Sequence, residues 1–173
     1  AQRVRVNLGT LAPRGSLYHK ALQSMGEAWK KASDGNVKLV VYPDGTQGGV
    51  ADMVRLMRVG TLQAGLFTTM GLSDIEPRVS GLQTLPMMFR TLEEFEYVNE
   101  KLRPRLEARL EEKGFVVLFW ADAGWVRYFS KEPMRTPDDL KHMKLFVWAG
   151  NTKVVDVLNS KGFQPVAMET GEI

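Results

Sequence analysis

A chain of 173 residues with 44% hydrophobic and 25% charged residues has the composition of a globular protein, with room for one substantial core or two small lobes. Its formal charge of +3 is interspersed with glutamates rather than gathered in a block, which argues against nucleic acid as a partner. The absence of cysteine excludes disulfides, thiolate metal sites and thiol nucleophiles.

Arg3-Val-Arg-Val-Asn-Leu8 alternates polar and apolar residues as a half-buried strand does. Gly15-Ser16 then opens an amphipathic helix with Leu17, Ala21, Met25, Ala28 and Trp29 on one face, closed by Asp34-Gly35. Val37 to Tyr42 is a second strand, stopped by Pro43-Asp-Gly45. A second helix sets Val50, Met53, Val54 and Met57 at helical spacing and ends at Gly60, and Ala64 to Thr68 returns as a strand. This β-α-β-α-β order predicts a largely parallel sheet.

Thr91-Leu-Glu-Glu94 fits a capping box at the head of a helix with Leu92, Phe95 and Val98 on one face. Pro104 breaks or kinks that helix, and Leu106 and Leu110 continue a second segment to Gly114. The apolar run Phe115 to Ala121 reads as a central strand covered on both faces, and Trp125 to Phe129 resumes an extended pattern, as a bent strand passing between lobes would. Thr136 caps a further helical turn, with Pro137 at its first position and Asp138 and Asp139 at its positive end. A strand from Met143 to Trp148 and a helix from Asn151 to Lys161 follow. The apolar runs are too short to span a bilayer. Ala1-Gln2 looks like the remnant of a cleaved secretory signal.

An ordered series of these segments resembles the solute-binding proteins of tripartite ATP-independent periplasmic (TRAP) transporters. Leu8 to Ser16 with His19 is similar to that family's opening strand and first loop, and Tyr42-Pro-Asp-Gly-Thr-Gln-Gly48 to its second loop. Leu85-Pro-Met-Met-Phe89 is similar to the turn before the capped helix, and Gly124, Ser130, Pro133 and Thr136 to Leu140 to the crossing into the second lobe. The resemblance implies an α/β, periplasmic-binding-protein-like fold, a mainly parallel sheet flanked by helices. Residues 1–122 form the first lobe and 123–173 start a second, incomplete one, since family members continue beyond this point. It also implies a periplasmic protein that is not an enzyme, closes two lobes on a small organic solute and delivers it to TRAP permease subunits. A ligand-sensing module for a signalling partner is the alternative. The resemblance further implies that apolar groups such as Val154, Val155 and Leu158 lack cover, from which dimerisation, domain exchange or disorder near the C-terminus is expected.

In an open parallel sheet, ligands sit beyond the carboxyl ends of the strands. That singles out Thr10, Ser16 and His19, then Thr46 and Gln47, then Thr68. Each of these also reads as turn or cap chemistry: Ser16-x-x-His19 has the look of a nucleophile and base, but an N-cap explains Ser16 better. Farther along, Trp125 and Trp148 are candidate stacking surfaces and Asn151 a polar contact. In the family, the position of Phe146 usually carries an arginine that grips a carboxylate. Its loss leaves Arg127 as the nearest substitute and favours a ligand with a larger apolar or planar part. His19 and His142 are far apart in sequence and the aspartates form no binding loop, so no metal or cofactor is expected.

Overall fold

The computed structural model describes residues 3–84, 88–122, 124–125, 127–148 and 152–168. In the first unit, β1 (Val4–Thr10) lies between β2 (Val37–Tyr42) and β3 (Ala64–Leu66), and both pairings are parallel. Val4 sits opposite Val37 and Gly9 opposite Tyr42, while Leu8 to Thr10 match Ala64 to Leu66. The parallel β-α-β-α-β reading is borne out, with the third strand ending two residues sooner than expected. Burial deepens along β1 until Leu8, Gly9 and Thr10 are enclosed, so the core sits at the carboxyl end of the central strand.

Two helices cover this sheet, α1 (Leu17–Ala32) and α2 (Val50–Arg58). On α2 the expected face holds: Met53 and Val54 are buried, Val50 and Met57 half-buried. Gly9 makes that contact possible, because a Cβ there would lie 2.7 Å from Met53 Sδ and 3.0 Å from Leu62 Cδ1. On α1 the buried face differs from the expected one. His19 and Leu22 are buried and Met25, Gly26 and Trp29 half-buried, while Leu17, Ala21 and Ala28 face solvent. The physical cause is Gly26, whose missing side chain lets α1 close on β2; a Cβ would come within 3.1 Å of Leu39 Cβ. Spacing of apolar residues alone does not register a small residue as the contact.

The second unit comprises residues 72–147 and 152–167, while the end residues Trp148 and Met168 group with the first. It holds α4 (Leu92–Glu112), which follows the four-residue α3 (Thr69–Leu72) and a 3-10 segment Pro77–Thr84. Thr91 caps α4 by accepting from the Glu94 N–H at 3.2 Å, and the Glu94 carboxylate reaches back to the Arg90 N–H at 2.9 Å. The capping box is therefore present with its return bond one residue earlier than the standard pattern. Pro104 does not divide the helix, which runs unbroken through it. An interior proline costs about 3 kcal/mol, a cost that burial of Leu106 and Leu110, farther along the same helix, can offset.

Phe115 to Ala121 is not a strand. Val116 is 74% exposed and Leu118 64%, and the segment is tied to α4 by the Trp120 indole N–H donating to Glu107 at 2.6 Å. The described residues of Trp125 to Phe129 are likewise outside any strand, with Phe129 93% exposed. An apolar run becomes a central strand only if neighbours accept its hydrogen bonds on both edges, and among the described residues none does.

Farther on, the cap at Thr136 is as expected: Pro137–His142 is a short 3-10 helix, and the Asp139 carboxylate accepts from the N–H groups of Thr136 and Arg135. β4 (Lys144–Trp148) pairs with β5 (Gln164–Met168), with α5 (Thr152–Ser160) between them in sequence. β4 thus finds a neighbour within the chain, and Val154, Val155 and Leu158, expected to lack cover, are half-buried.

Candidate functional site

In the first unit, the loops after β1 and β2 meet at the carboxyl edge of the sheet. Arg14 donates its backbone N–H to Asp44 at 2.7 Å and its guanidinium pairs with the same carboxylate at 3.4 Å. The Gly45 N–H donates to the Thr10 carbonyl at 3.1 Å, closing one loop on the other. Thr10 is 1% exposed, and its hydroxyl donates to the Leu66 carbonyl and accepts from the Ala12 N–H, so it holds the loop in place. The Ser16 hydroxyl accepts from the His19 N–H at 3.3 Å, which is the expected N-cap. His19 is buried, and its Nδ1 accepts from the Gly15 N–H at 3.0 Å rather than facing the serine hydroxyl as a base would. Thr46 is exposed and donates to the Pro43 carbonyl, Gln47 is half-buried, and Thr68 is exposed and accepts from the Gly71 N–H at the head of α3.

The second unit carries an open pocket of about 300 Å³ lined by Phe89, Arg90, Trp125 and Arg127. Two of these, Trp125 and Arg127, are expected from the sequence; Phe89 and Arg90 are not among the sequence candidates. Phe89 is fixed by an edge-to-face contact with Phe95 of α4, ring centroids 5.4 Å apart. Arg90 immediately precedes the cap residue Thr91, so the helix start positions it. On the other wall, the Gly124 N–H donates to Asp122 at 2.8 Å in a turn that presents Trp125, 44% exposed.

Two guanidiniums offer planar forks of N–H donors suited to a carboxylate, and an exposed indole offers an apolar face on which a ring can stack. Among the described residues neither guanidinium is ion-paired with a carboxylate. None of the four lining residues is a nucleophile or an acid–base group that titrates near neutrality, so the chemistry available from them is binding. Phe146 is half-buried on β4, where Val147 takes the buried face, and Trp148 is exposed at the end of that strand. Asn151 lies outside the described residues. Among the described residues no cluster of histidine, aspartate and glutamate is placed to hold a metal ion, and no helix is long and apolar enough to cross a membrane.

Known proteins share this fold. A crystallised TRAP periplasmic solute-binding protein from Chromohalobacter salexigens, with bound D-glucuronate, superposes with a TM-score of 0.85 at 25% identity over 97% of this chain and 56% of its own. Another, from Sulfitobacter sp. NAS-14.1 with bound β-D-galacturonate, gives 0.84 at 24% identity over 96% of this chain and 55% of its own. The 2,3-diketo-L-gulonate-binding periplasmic protein YiaO of Escherichia coli is 28% identical over 159 residues, 90% of this chain and 47% of its own length. The chain thus spans about half the length of the curated relatives it matches. The sequence pattern of the family described as "Bacterial extracellular solute-binding protein, family 7" (DctP) matches residues 8–173, and the chain belongs to that family.

Proposed function

We propose that this chain is part of a periplasmic solute-binding protein that captures a small organic acid and delivers it to the membrane subunits of a TRAP transporter. The observation that carries this reading is the open pocket lined by Arg127, Arg90 and the exposed Trp125, where among the described residues neither arginine is ion-paired with a carboxylate. Arg127 takes the ligand carboxylate by a charge-assisted, two-pronged contact, and Trp125 covers an apolar face of the ligand. The ligands of these relatives, D-glucuronate, β-D-galacturonate and 2,3-diketo-L-gulonate, are sugar acids, which is the carboxylate class the pocket suits. In the intact protein, residues 1–122 belong to one lobe and 123–173 begin the other, and closure on the ligand shifts the population toward the state the permease reads. The ligand leaves unchanged, since the lining residues supply no group to attack it.

Calorimetry on the intact protein tests this reading with sugar acids and with neutral sugars of the same size. Sugar acids are expected to bind and neutral sugars not, and Arg127→Ala should lower acid affinity about ten- to a hundredfold. Equal affinity for acid and neutral sugar, unchanged in Arg127→Ala, would overturn it.

A further inference from the structure

We infer that Glu107 is an acceptor contested by Trp120 and Arg103, and that its bond to Trp120 is a latch which positions the stretch leading into the pocket. The ligand side of this inference rests on the reading above; the latch itself does not. It begins from the Trp120 indole, whose N–H donates to the Glu107 carboxylate at 2.6 Å. That is a short, charge-assisted bond between two half-buried side chains, and it joins the run Phe115 to Ala121 to the middle of α4. The run belongs to no strand, and Val116 and Leu118 are exposed, so its place against the helix depends on side-chain contacts of this kind. Two residues past Trp120, Asp122 begins the turn that presents Trp125.

Arg103 stands four residues before Glu107, one helical turn away on the same face, where arginine and glutamate commonly pair. Here they do not. Among the described residues Arg103 forms no ion pair, and its Nε is buried without a hydrogen-bond partner. A buried donor left unpaired is costly, so the pull of Arg103 on the neighbouring carboxylate persists. Trp120 holds Glu107 against that pull for two reasons. Arginine placed N-terminal to glutamate is the weaker order of the i, i+4 pair, and the indole bond is short and charge-assisted. Glu107 therefore has two arrangements, one with the run latched to α4 and one with the run released and Arg103 satisfied. Only the latched arrangement keeps the turn before Trp125 in place, and a site competent in one of two states loses apparent affinity in proportion to the other.

The test removes the competitor rather than the latch. In the intact protein, Arg103→Met keeps the apolar stem and deletes the charge. It should slow exchange of the Trp120 indole N–H about twofold or more, read by NMR on the resonance that Trp120→Phe lacks. The same variant should tighten D-glucuronate binding about two- to fivefold by calorimetry, a gain that loss of a merely structural arginine does not produce. Glu107→Ala should weaken that binding about three- to tenfold, and Glu107→Gln, whose amide oxygen still accepts from the indole, should recover part of the loss. In Trp120→Phe the gain from Arg103→Met should disappear, since the two act through one carboxylate. An indole exchange rate unmoved by Arg103→Met overturns the contest for Glu107. Slower exchange with unchanged affinity overturns the positioning role and leaves acid capture standing. Failure of the wild type to bind any acid overturns the reading above and the positioning role with it, while the latch stands or falls on the exchange rate.

Discussion

Gly9 shows how much one absent side chain decides. It sits on the central strand where the backbone of β1 meets Met53 and Leu62, and a Cβ at 2.7 Å from Met53 Sδ has no room. Gly9→Val is expected to destabilise the chain by about 1 to 3 kcal/mol in urea unfolding, with the loss concentrated in the first unit. The cap residue Thr91 acts on both stability and the pocket. Thr91→Ala should cost about 1 kcal/mol and, by loosening the start of α4, raise the exchange rate of the Arg90 amide hydrogen. Trp125→Ala removes the exposed stacking face and should weaken ligand binding about two- to tenfold, with a smaller effect on acids that lack a ring. Of the pocket's four residues, Trp125 is legible in the sequence as an aromatic at the expected crossing between lobes, and Arg127 through the family resemblance, as the nearest substitute for the arginine missing at Phe146. Phe89 and Arg90 are not, because beside a capping box they read as helix preamble. The residue preceding the cap is the signal that would have found Arg90.

Helix starts and strand partners follow different rules. The cap at Thr136 was legible because it is local: threonine, proline and two aspartates act on the backbone they adjoin. Hydrogen bonds from the backbone of Thr136 and then of Arg135 hold the Asp139 carboxyl below its ordinary value of 3.8. A lowered carboxylate stabilises the fold above its unfolded pKa and loses that contribution as pH falls through the folded one. The amide resonances of Arg135 and Thr136 should accordingly titrate with a midpoint below 3.8, and Asp139→Asn should abolish that titration. The run Phe115 to Ala121 is the opposite case, since a strand needs an edge that the run cannot supply for itself. Its amides from Val116 to Ala121 should exchange nearly as fast as in an unstructured peptide, whereas those of Val6 to Leu8 in β1, flanked by β2 and in part by β3, should be strongly protected. Strong protection across Val116 to Ala121 in this chain would contradict the coil described here.

For the molecule as a whole, alternation of strand and helix patterns was enough to set the class, a parallel α/β fold, and the ordered series of loops was enough to point to the family. Those features depend on period and punctuation, which are written residue by residue. Tertiary structure decided which face of α1 is buried, because Gly26 and Leu39 meet across a distance that no helical period encodes. It also decided that Pro104 is carried within one helix, where burial of Leu106 and Leu110 can offset a local penalty. The pocket belongs to the same category. Arg90 and Arg127 stand on separate stretches of chain, and only folding brings both to the lining of one pocket, since proximity is a property of position and not of sequence.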